Sequence, residues 1–125
     1  RAVRISPMRD ALAAGLRPTT HNDAPVVPPD MIRLVWSAAT RRTRSNDILG
    51  PSQRVSTYEA LVAITRDAAW QIHEDDLKGT IAVGKMADFV VLDRDPLAQD
   101  PERLLDLKIT ATYKDGRAIY RKPGE

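Results

Sequence analysis

Two residues suited to metal binding or proton transfer stand close together in the segment THNDAPVVPPD, residues 20–30. His21 and Asp23 lie two positions apart, at the end of an extended run and directly before a proline-rich loop. An imidazole can bind a metal, and a carboxylate can bind a metal or accept a proton from water. His73 is the only other histidine and the chain has no cysteine, so few further metal ligands are available.

Both residues also have ordinary structural interpretations. An aspartate shortly before a proline is typical of an Asx turn or a helix cap, and local sequence alone favours that interpretation of Asp23. His21 could bind a metal, orient Asp23 or line a pocket, and it could equally be a strand-end histidine with satisfied hydrogen bonds. The chemistry of the pair therefore depends on the elements that position it.

Composition favours one ordinary domain and excludes several functions. The chain has 125 residues, 42% of them hydrophobic, which is enough for a core. Its 19 basic and 17 acidic residues give a net charge of +2, which indicates no nucleic-acid partner. The absence of cysteine excludes disulfides, thiolate catalysis and sulfur-ligated zinc. No run approaches the roughly 18–20 apolar residues of a membrane span, and no signal peptide is visible. The expectation is a cytoplasmic protein without a membrane partner.

The first helix and a short strand are predicted to precede the His-Asn-Asp segment. RISPMRDALAAGLRP reads as a helix with Ser6 as N-cap and Pro7 in the first helical position. A strand is predicted around residues 16–21, although Pro18 weakens it. The basic run after the next helix, at Arg41, Arg42 and Arg44, is interpreted as a solvated helix end rather than a phosphate site.

Two further helices are predicted before residue 76. The first, in PPDMIRLVWSAATRRT, begins at Pro29 or Asp30 and has one apolar stripe, consisting of Met31, Leu34, Val35, Ala38 and Ala39. The second, in VSTYEALVAITRDAAWQIH, opens with a Ser56–Glu59 capping box and bends near residues 65–67. Its predicted common face consists of Tyr58, Leu61, Val62, Thr65, Ala69 and Ile72.

After Gly79 the pattern changes to strands. DFVVLD, residues 88–93, is a short apolar run that predicts a strand buried on both faces. Asp88 and Asp93 flank it and are interpreted as turn or strand-end residues rather than catalytic ones. DPERLLDL predicts one helical turn, and the Asp115-Gly116 pair predicts a two-residue hairpin turn. The chain thus divides into a helical part, residues 1–76, and a β-rich part, residues 77–125.

Four motifs resemble the C-terminal region of one enzyme superfamily. GTIAVGKMADFVVLDRDPL, residues 79–97, resembles the amidohydrolase pattern G-[ST]-I-x-x-G-K-x-A-D-[FL]-V-V-L-D. YKDGRAIY resembles the closing hairpin of the same subdomain, and SQRVSTYEALVAITRDAAW resembles the helix pair after the catalytic barrel. THNDAPV resembles the H-S-D-x-P-V turn after the eighth barrel strand, with Asn22 in place of the serine. The motifs occur in the family's order, and the combination is most similar to amidohydrolase family 3, the YtcJ-like branch.

The resemblance implies a fold and a site. The family fold is a (β/α)8 barrel whose metals lie at the C-terminal ends of the strands. For this chain it implies the α/β class: the last βα unit and the following helices in residues 1–76, and part of a C-terminal β-sandwich in residues 77–125. Asp23 matches the carboxylate that binds a divalent metal, with zinc the first expectation, and takes a proton from metal-bound water. His21 is a second candidate ligand in the same turn.

The family's remaining ligands have no counterpart in the chain. The H-x-H pair, the fourth-strand ligand and the two later histidines are all absent, a barrel takes about 250 residues, and a catalytic zinc needs about three protein ligands. The resemblance therefore implies the C-terminal portion of a metal-dependent amidohydrolase acting on the C–N bond of a small amide or cyclic amide. By itself this portion is expected to be inactive and to hold no metal.

Three kinds of assembly or role are compatible with such a portion. Its barrel strand would expose an edge, so homo-oligomerisation or association with the rest of the barrel is expected. The chain could alternatively be a stand-alone, non-catalytic interaction domain derived from the same fold, or the smaller product of a processed hydrolase. Truncation of a longer enzyme is the preferred interpretation.

Overall fold

The computed structural model describes residues 4–124, which form four α-helices followed by one antiparallel sheet. The helices are α1 (Met8–Ala13), α2 (Met31–Thr40), α3 (Thr57–Ile64) and α4 (Arg66–Gln71). The sheet has the order β1-β2-β3, with β1 at Phe89–Leu92, β2 at Ile109–Lys114 and β3 at Arg117–Arg121. Short 3-10 helices span Pro51–Gln53, Pro96–Ala98 and Pro101–Asp106. The mixed helix and sheet content agrees with the predicted combination of helices and strands. None of the helices in residues 4–124 has the length and apolarity needed to cross a bilayer.

The helix starts follow the capping signals except at α1. The Asp30 side chain caps α2 and accepts the Arg33 N–H at 3.1 Å, which agrees with the predicted helix start at Pro29 or Asp30. The capping box at α3 is complete, because Ser56 Oγ accepts the Glu59 N–H and Glu59 accepts the Ser56 N–H. At α1 the prediction of Ser6 as N-cap is wrong: Pro7 occupies that position, and no side chain caps the helix. Ser6 has φ 48° and uses its carbonyl instead, which accepts the Met8 N–H.

The break between α3 and α4 confirms the predicted bend, but the buried face differs from the predicted one. Thr65 lies between the two helices with φ −125° and ψ −90°, and its hydroxyl donates to the Leu61 carbonyl. Tyr58 and Ile72, predicted to face inward, are exposed. The buried residues are smaller: Thr57, Ala60, Ala63, Asp67 and Ala69. Small side chains are buried here because α2 and α3 pack closely, with alanines on both helices in the shared core.

The hydrophobic core joins the helices to the 3-10 helix that precedes β2. It consists of Met8, Val35, Ala38, Ala39, Val55, Ala60, Ala63, Leu104 and Leu107. Leu104 is fully buried and lies in the 3-10 helix Pro101–Asp106, which packs against α2. The core is thus centred on α2 and α3, and the sheet lies to one side of it.

The basic run at Arg41, Arg42 and Arg44 lies at the end of α2, and two of its side chains form hydrogen bonds to neighbouring segments. Arg41 has φ 60° and forms the C-cap of α2, which confirms the predicted helix end. Its guanidinium donates to the carbonyls of Ile5, Ser6 and Leu49. Arg42 Nε donates to Glu102 Oε2 at 2.7 Å. Two of the three arginines therefore bind protein groups rather than only water.

The sheet has the predicted hairpin but not the predicted burial. Asp115 and Gly116 have φ values of 49° and 72°, the left-handed pair that a tight two-residue hairpin requires. In β1, however, Val90 is 51% exposed and Val91 is 40% exposed. The prediction of a strand buried on both faces is wrong for this chain, because residues 4–124 leave a large part of both side chains uncovered.

The segment before His21 does not form the predicted strand. Residues 17–22 make no backbone hydrogen bonds to another extended segment within the described chain, so the ladder that defines a strand is missing. Side chains hold the segment against α4 instead. Thr19 Oγ1 donates to Gln71 Oε1 at 2.6 Å, and the Arg17 guanidinium lies 4.8 Å from the centre of the Trp70 ring.

Candidate functional site

Asn22 closes the loop that carries the candidate carboxylate. Its side chain is buried, and Nδ2 donates to the Pro28 carbonyl at 3.0 Å and to the Asp30 carbonyl at 3.1 Å. Asp30 is also the N-cap of α2. The end of the extended segment is thereby fixed to the start of α2, and residues 23–29 form a closed loop between them.

Asp23 occupies a constrained backbone position with an exposed side chain. Its φ is 54°, its N–H donates to His21 Nδ1 at 3.1 Å, and its carbonyl accepts the Val26 N–H at 2.8 Å. Its carboxylate makes no hydrogen bond or ion pair with the side chains and backbone groups of residues 4–124. Asp23 therefore does not act as a helix cap within residues 4–124, since the cap of α2 is Asp30.

His21 is exposed beside an open groove of about 500 Å³ that runs between α1 and α2. Met8, Leu34 and Arg41 are among the residues that line the same groove. Because Nδ1 accepts the Asp23 N–H, the neutral imidazole carries its proton on Nε2 in this arrangement. The ring then presents a hydrogen-bond donor rather than a lone pair to its surroundings.

The described residues do not complete a metal site. Across residues 4–124, no three histidine, aspartate or glutamate side chains lie close enough to share a metal ion. Asp23 and His21 supply one carboxylate and one imidazole, whereas a catalytic zinc takes about three protein ligands. The described residues alone therefore do not supply a ligand set that fits a divalent metal.

The other strand-end aspartates have structural partners. Asp88 Oδ1 accepts the Asp115 N–H of the hairpin at 2.7 Å. Asp93 Oδ1 accepts the Lys108 N–H at 2.8 Å, and this hydrogen bond holds the pKa of Asp93 below its ordinary value. These contacts agree with their interpretation as turn and strand-end residues.

Sequence reasoning missed the role of Asn22, noting it only as a replacement for serine. A signal was present, because asparagine bonds readily to backbone groups of a following turn. The partners six and eight residues away could not be read from the sequence, since they depend on how the proline-rich loop folds back.

Comparison with known proteins assigns this arrangement to a family. Residues 1–120 match the family model described as the amidohydrolase family. The chain belongs to the amidohydrolase family. The match is to the family 3 branch, which confirms the resemblance given by the four sequence motifs.

Amidohydrolase relatives are found at both the sequence and the fold level. N-substituted formamide deformylase of Arthrobacter pascens is 32% identical over 122 residues, covering 98% of this chain and 22% of that protein. YtcJ of Bacillus subtilis, which is named as an amidohydrolase, is 38% identical over 105 residues, covering 81% of this chain and 20% of YtcJ. An amidohydrolase structure from Thermotoga maritima has the same fold, with a TM-score of 0.69 at 23% identity over 92% of this chain and 26% of its own. This amidohydrolase chain thus spans about a fifth of the length of its curated relatives.

Proposed function

We propose that the chain is the C-terminal portion of a metal-dependent amidohydrolase that hydrolyses the C–N bond of an amide or cyclic amide. The observation that carries the proposal is the Asp23 turn, in which a family-matching carboxylate is exposed and free of protein partners within residues 4–124. Family membership supports the reaction class, and the name of the Arthrobacter relative suggests N-substituted formamides as the first substrates to test.

The exposed surface supports the view that further polypeptide completes the fold. The chain exposes 8591 Å². A compact monomer of 13.9 kDa exposes roughly 6,700 Å², which is about 1,900 Å² less. A standard protein interface buries about 800 Å² on each partner. The surplus is therefore larger than one such interface, in agreement with association with the rest of a barrel.

The proposed fold detail follows the same reasoning. Residues 1–76 would supply the last βα unit of the barrel and the helices after it, and residues 77–125 part of a β-sandwich. Within residues 4–124, segment 17–22 has no strand neighbour and β1 has exposed valines, as expected of elements that pair and pack with further polypeptide. Association with the remaining barrel is the proposed partnership, and a second copy of the chain is the alternative occupant of these edges.

Asp23 is proposed as the carboxylate that moves the proton during hydrolysis. As the attacking water forms its bond to the carbonyl carbon, the carboxylate accepts a proton from that water. The same proton is then returned to the nitrogen as the C–N bond breaks, so that the amine leaves neutral. The hydrogen bond from Asp23 N–H to His21 Nδ1 supports an orienting role for His21. The other alternative is that His21 binds a metal, and elemental analysis of the wild-type and His21→Ala proteins tests it.

The first experiment is elemental analysis of the purified 125-residue chain, alongside Asp23→Ala and His21→Ala. We expect no stoichiometric zinc, iron or manganese in any of the three proteins, because two donors do not retain a catalytic metal. About one metal per wild-type chain, lost in Asp23→Ala, would contradict the proposal and point to a site shared between copies. Loss in His21→Ala as well would make His21 a ligand.

The second experiment tests the reaction itself. A chimaera of the Arthrobacter deformylase would carry this chain in place of the matched segment, with hydrolysis of an N-substituted formamide as the assay. Asp23→Asn is expected to lower kcat by about a hundredfold to ten-thousandfold, the range for loss of a general acid–base group. Asp76→Asn, which changes another exposed carboxylate, is the matched control and should leave kcat unchanged. An Asp23→Asn chimaera with the parental rate would refute the role of Asp23.

A further inference from the structure

The Asn22 side chain makes an unusual pair of contacts for a residue next to a candidate catalytic group. One nitrogen atom, Nδ2, donates to two backbone carbonyls, those of Pro28 and Asp30, at 3.0 and 3.1 Å. Both partners are acceptors, so the amide orientation is unambiguous: the NH2 group, not the oxygen, faces them. The side chain is buried, so water cannot easily replace either bond.

We propose that Asn22 is a positioning residue that fixes the Asp23 carboxylate by clamping the two ends of its loop together. The inference rests on the proposed role of Asp23 for its catalytic meaning. The clamp itself is a property of the described residues alone, and it departs from the serine that the family motif has at this position.

The Asp23 backbone needs such a constraint. A φ of 54° is uncommon for a residue with a Cβ, because the side chain crowds the following carbonyl. The N–H of Asp23 bonds to a side chain that is itself exposed, and its carbonyl bonds to Val26 within the same loop. Among the hydrogen bonds of residues 4–124, the one from Asn22 to the Asp30 carbonyl connects the start of this loop to the N-cap of α2. The conformation of Asp23 therefore depends on Asn22 more than on its own contacts.

The chemistry of the amide explains why the clamp needs asparagine. A serine hydroxyl has one hydrogen to donate and a shorter reach, so it could serve one of the two carbonyls at most. An aspartate has the same shape but no N–H donor, and its carboxylate would face the two carbonyl oxygens with repulsion. Asn22→Asp thus removes the clamp without changing the volume of the side chain, and Asn22→Ser weakens it.

The test is NMR spectroscopy on the 125-residue chain. In the wild type, couplings across the hydrogen bonds should link Asn22 Nδ2 to the carbonyl carbons of Pro28 and Asp30. Asp23 should show the strong intraresidue HN–Hα contact that a positive φ produces. In Asn22→Asp this contact is expected to weaken, and solvent exchange of the Val26 amide to rise roughly tenfold, in line with the loss of two ordinary hydrogen bonds. Asn22→Ser should lie between the two.

Asn46→Asp is the matched control, since Asn46 is exposed and also has a positive φ, in a different turn. It should leave Asp23 and Val26 unchanged. If Asn22→Asp also leaves the Asp23 contact and Val26 exchange unchanged while the protein stays folded, the clamp is refuted. If Asn22→Asp unfolds the chain, the HN–Hα contact of Asp23 and the exchange of the Val26 amide are compared between Asn22→Ser and wild type instead, and unchanged values would refute the clamp.

The effect of Asn22 on catalysis is tested separately in the chimaera. Asn22→Ser is expected to lower kcat about tenfold with little change in KM, because a misplaced group loses rate rather than substrate affinity. An unchanged kcat together with a lost clamp would refute the positioning role while leaving Asp23 catalytic. An Asp23→Asn chimaera that stays active would instead refute the proposed function, and the NMR result for the clamp would stand.

Discussion

The helical part and the sheet of this chain obey the rules of their secondary structure equally well, yet only the helical part has a buried interior. Helices α2 and α3 supply five members of the core, and each helix has a cap whose side chain accepts a backbone N–H of the first turn. The sheet has correct pairing and a left-handed hairpin turn, but Ala111 is its one buried apolar residue in the described chain. Val90, Val91, Ile119 and Tyr120 remain exposed.

The difference separates what backbone geometry can satisfy from what packing requires. Strand pairing needs only a neighbouring strand, and the hairpin supplies one within a few residues. Burial of the sheet face needs a second layer, since an antiparallel sheet gains its stability from covering at least one face. The 3-10 helix Pro101–Asp106 is one link between the two parts, because its Leu104 belongs to the helical core.

Leu104→Ala tests that link and should have the largest effect. Leu104 is 0% exposed, so its truncation is expected to cost about 3 kcal/mol in the free energy of unfolding. Leu105→Ala is the control, because Leu105 is 36% exposed and its truncation should cost less than about 1 kcal/mol. Urea unfolding followed by circular dichroism measures both. Equal losses would mean that the 3-10 helix is not anchored in the helical core.

Gly79→Ala tests where the β-rich part leaves α4. Gly79 has φ 91°, and an added Cβ would lie 2.6 Å from Ala69 Cβ and 3.1 Å from the Thr65 carbonyl oxygen. Gly84 has φ 90° with nothing within 4 Å, so Gly84→Ala adds backbone strain without a clash. We expect Gly79→Ala to cost about 2 kcal/mol more than Gly84→Ala in urea unfolding. Equal costs would place residue 79 away from α4.

Glu59→Gln tests the ion pair that ties α1 to α3. Arg9 donates to both Glu59 oxygens at 2.8 Å, and this pairing lowers the pKa of Glu59 from 4.5 to about 2. After allowance for solvent, the substitution should cost about 1 kcal/mol at pH 7. Because the folded-state pKa is the lower one, this stabilisation is complete above pH 4.5 and disappears as the pH falls to about 2.

The measurement is urea unfolding of Glu59→Gln and wild type at pH 7, 4 and 2.5. Glu102→Gln is the control, since Glu102 pairs with Arg42 outside any capping box and should cost less than about 0.5 kcal/mol at pH 7. A difference between Glu59→Gln and wild type that stays constant over the whole pH range would rule out the ion pair as its cause.

Val90→Thr tests the uncovered sheet face and should have the smallest effect. Val90 is 51% exposed, so a hydroxyl there is expected to change the free energy of unfolding by less than about 0.5 kcal/mol. Val35→Thr, at a side chain 1% exposed, should cost about 1–3 kcal/mol for burying an unpaired hydroxyl. A large loss in Val90→Thr would show that the face is covered in solution, for instance by a second copy of the chain.

The sequence allowed prediction of the features that local chemistry determines. The caps at Asp30 and Ser56, the break near Thr65 and the Asp115-Gly116 turn all depend on residues within four positions of one another. Two of the features predicted wrongly depend on residues far away in the chain. Whether residues 16–21 pair as a strand, and whether the face of β1 is buried, depends on neighbours that these residues do not specify.

The candidate site divides in the same way. The family motif identified Asp23 and His21 as candidates, and their roles stay predictions. The Asn22 clamp was not predicted, because its acceptors are backbone carbonyls that any residue would offer. The residue type shows which side chains can donate a hydrogen bond, but the fold determines which backbone carbonyls lie within reach of them.

The guanidinium of Arg41 has a consequence for the order in which the chain acquires its structure during synthesis. It donates to the carbonyls of Ile5 and Ser6, which precede it by 36 and 35 residues. At a translation rate of about 5–20 residues per second, the segment before α1 is made roughly 2–7 seconds before its partner. The segment before α1 therefore leaves the ribosome before Arg41 can bind its carbonyls. These hydrogen bonds form only after α2 has been synthesised.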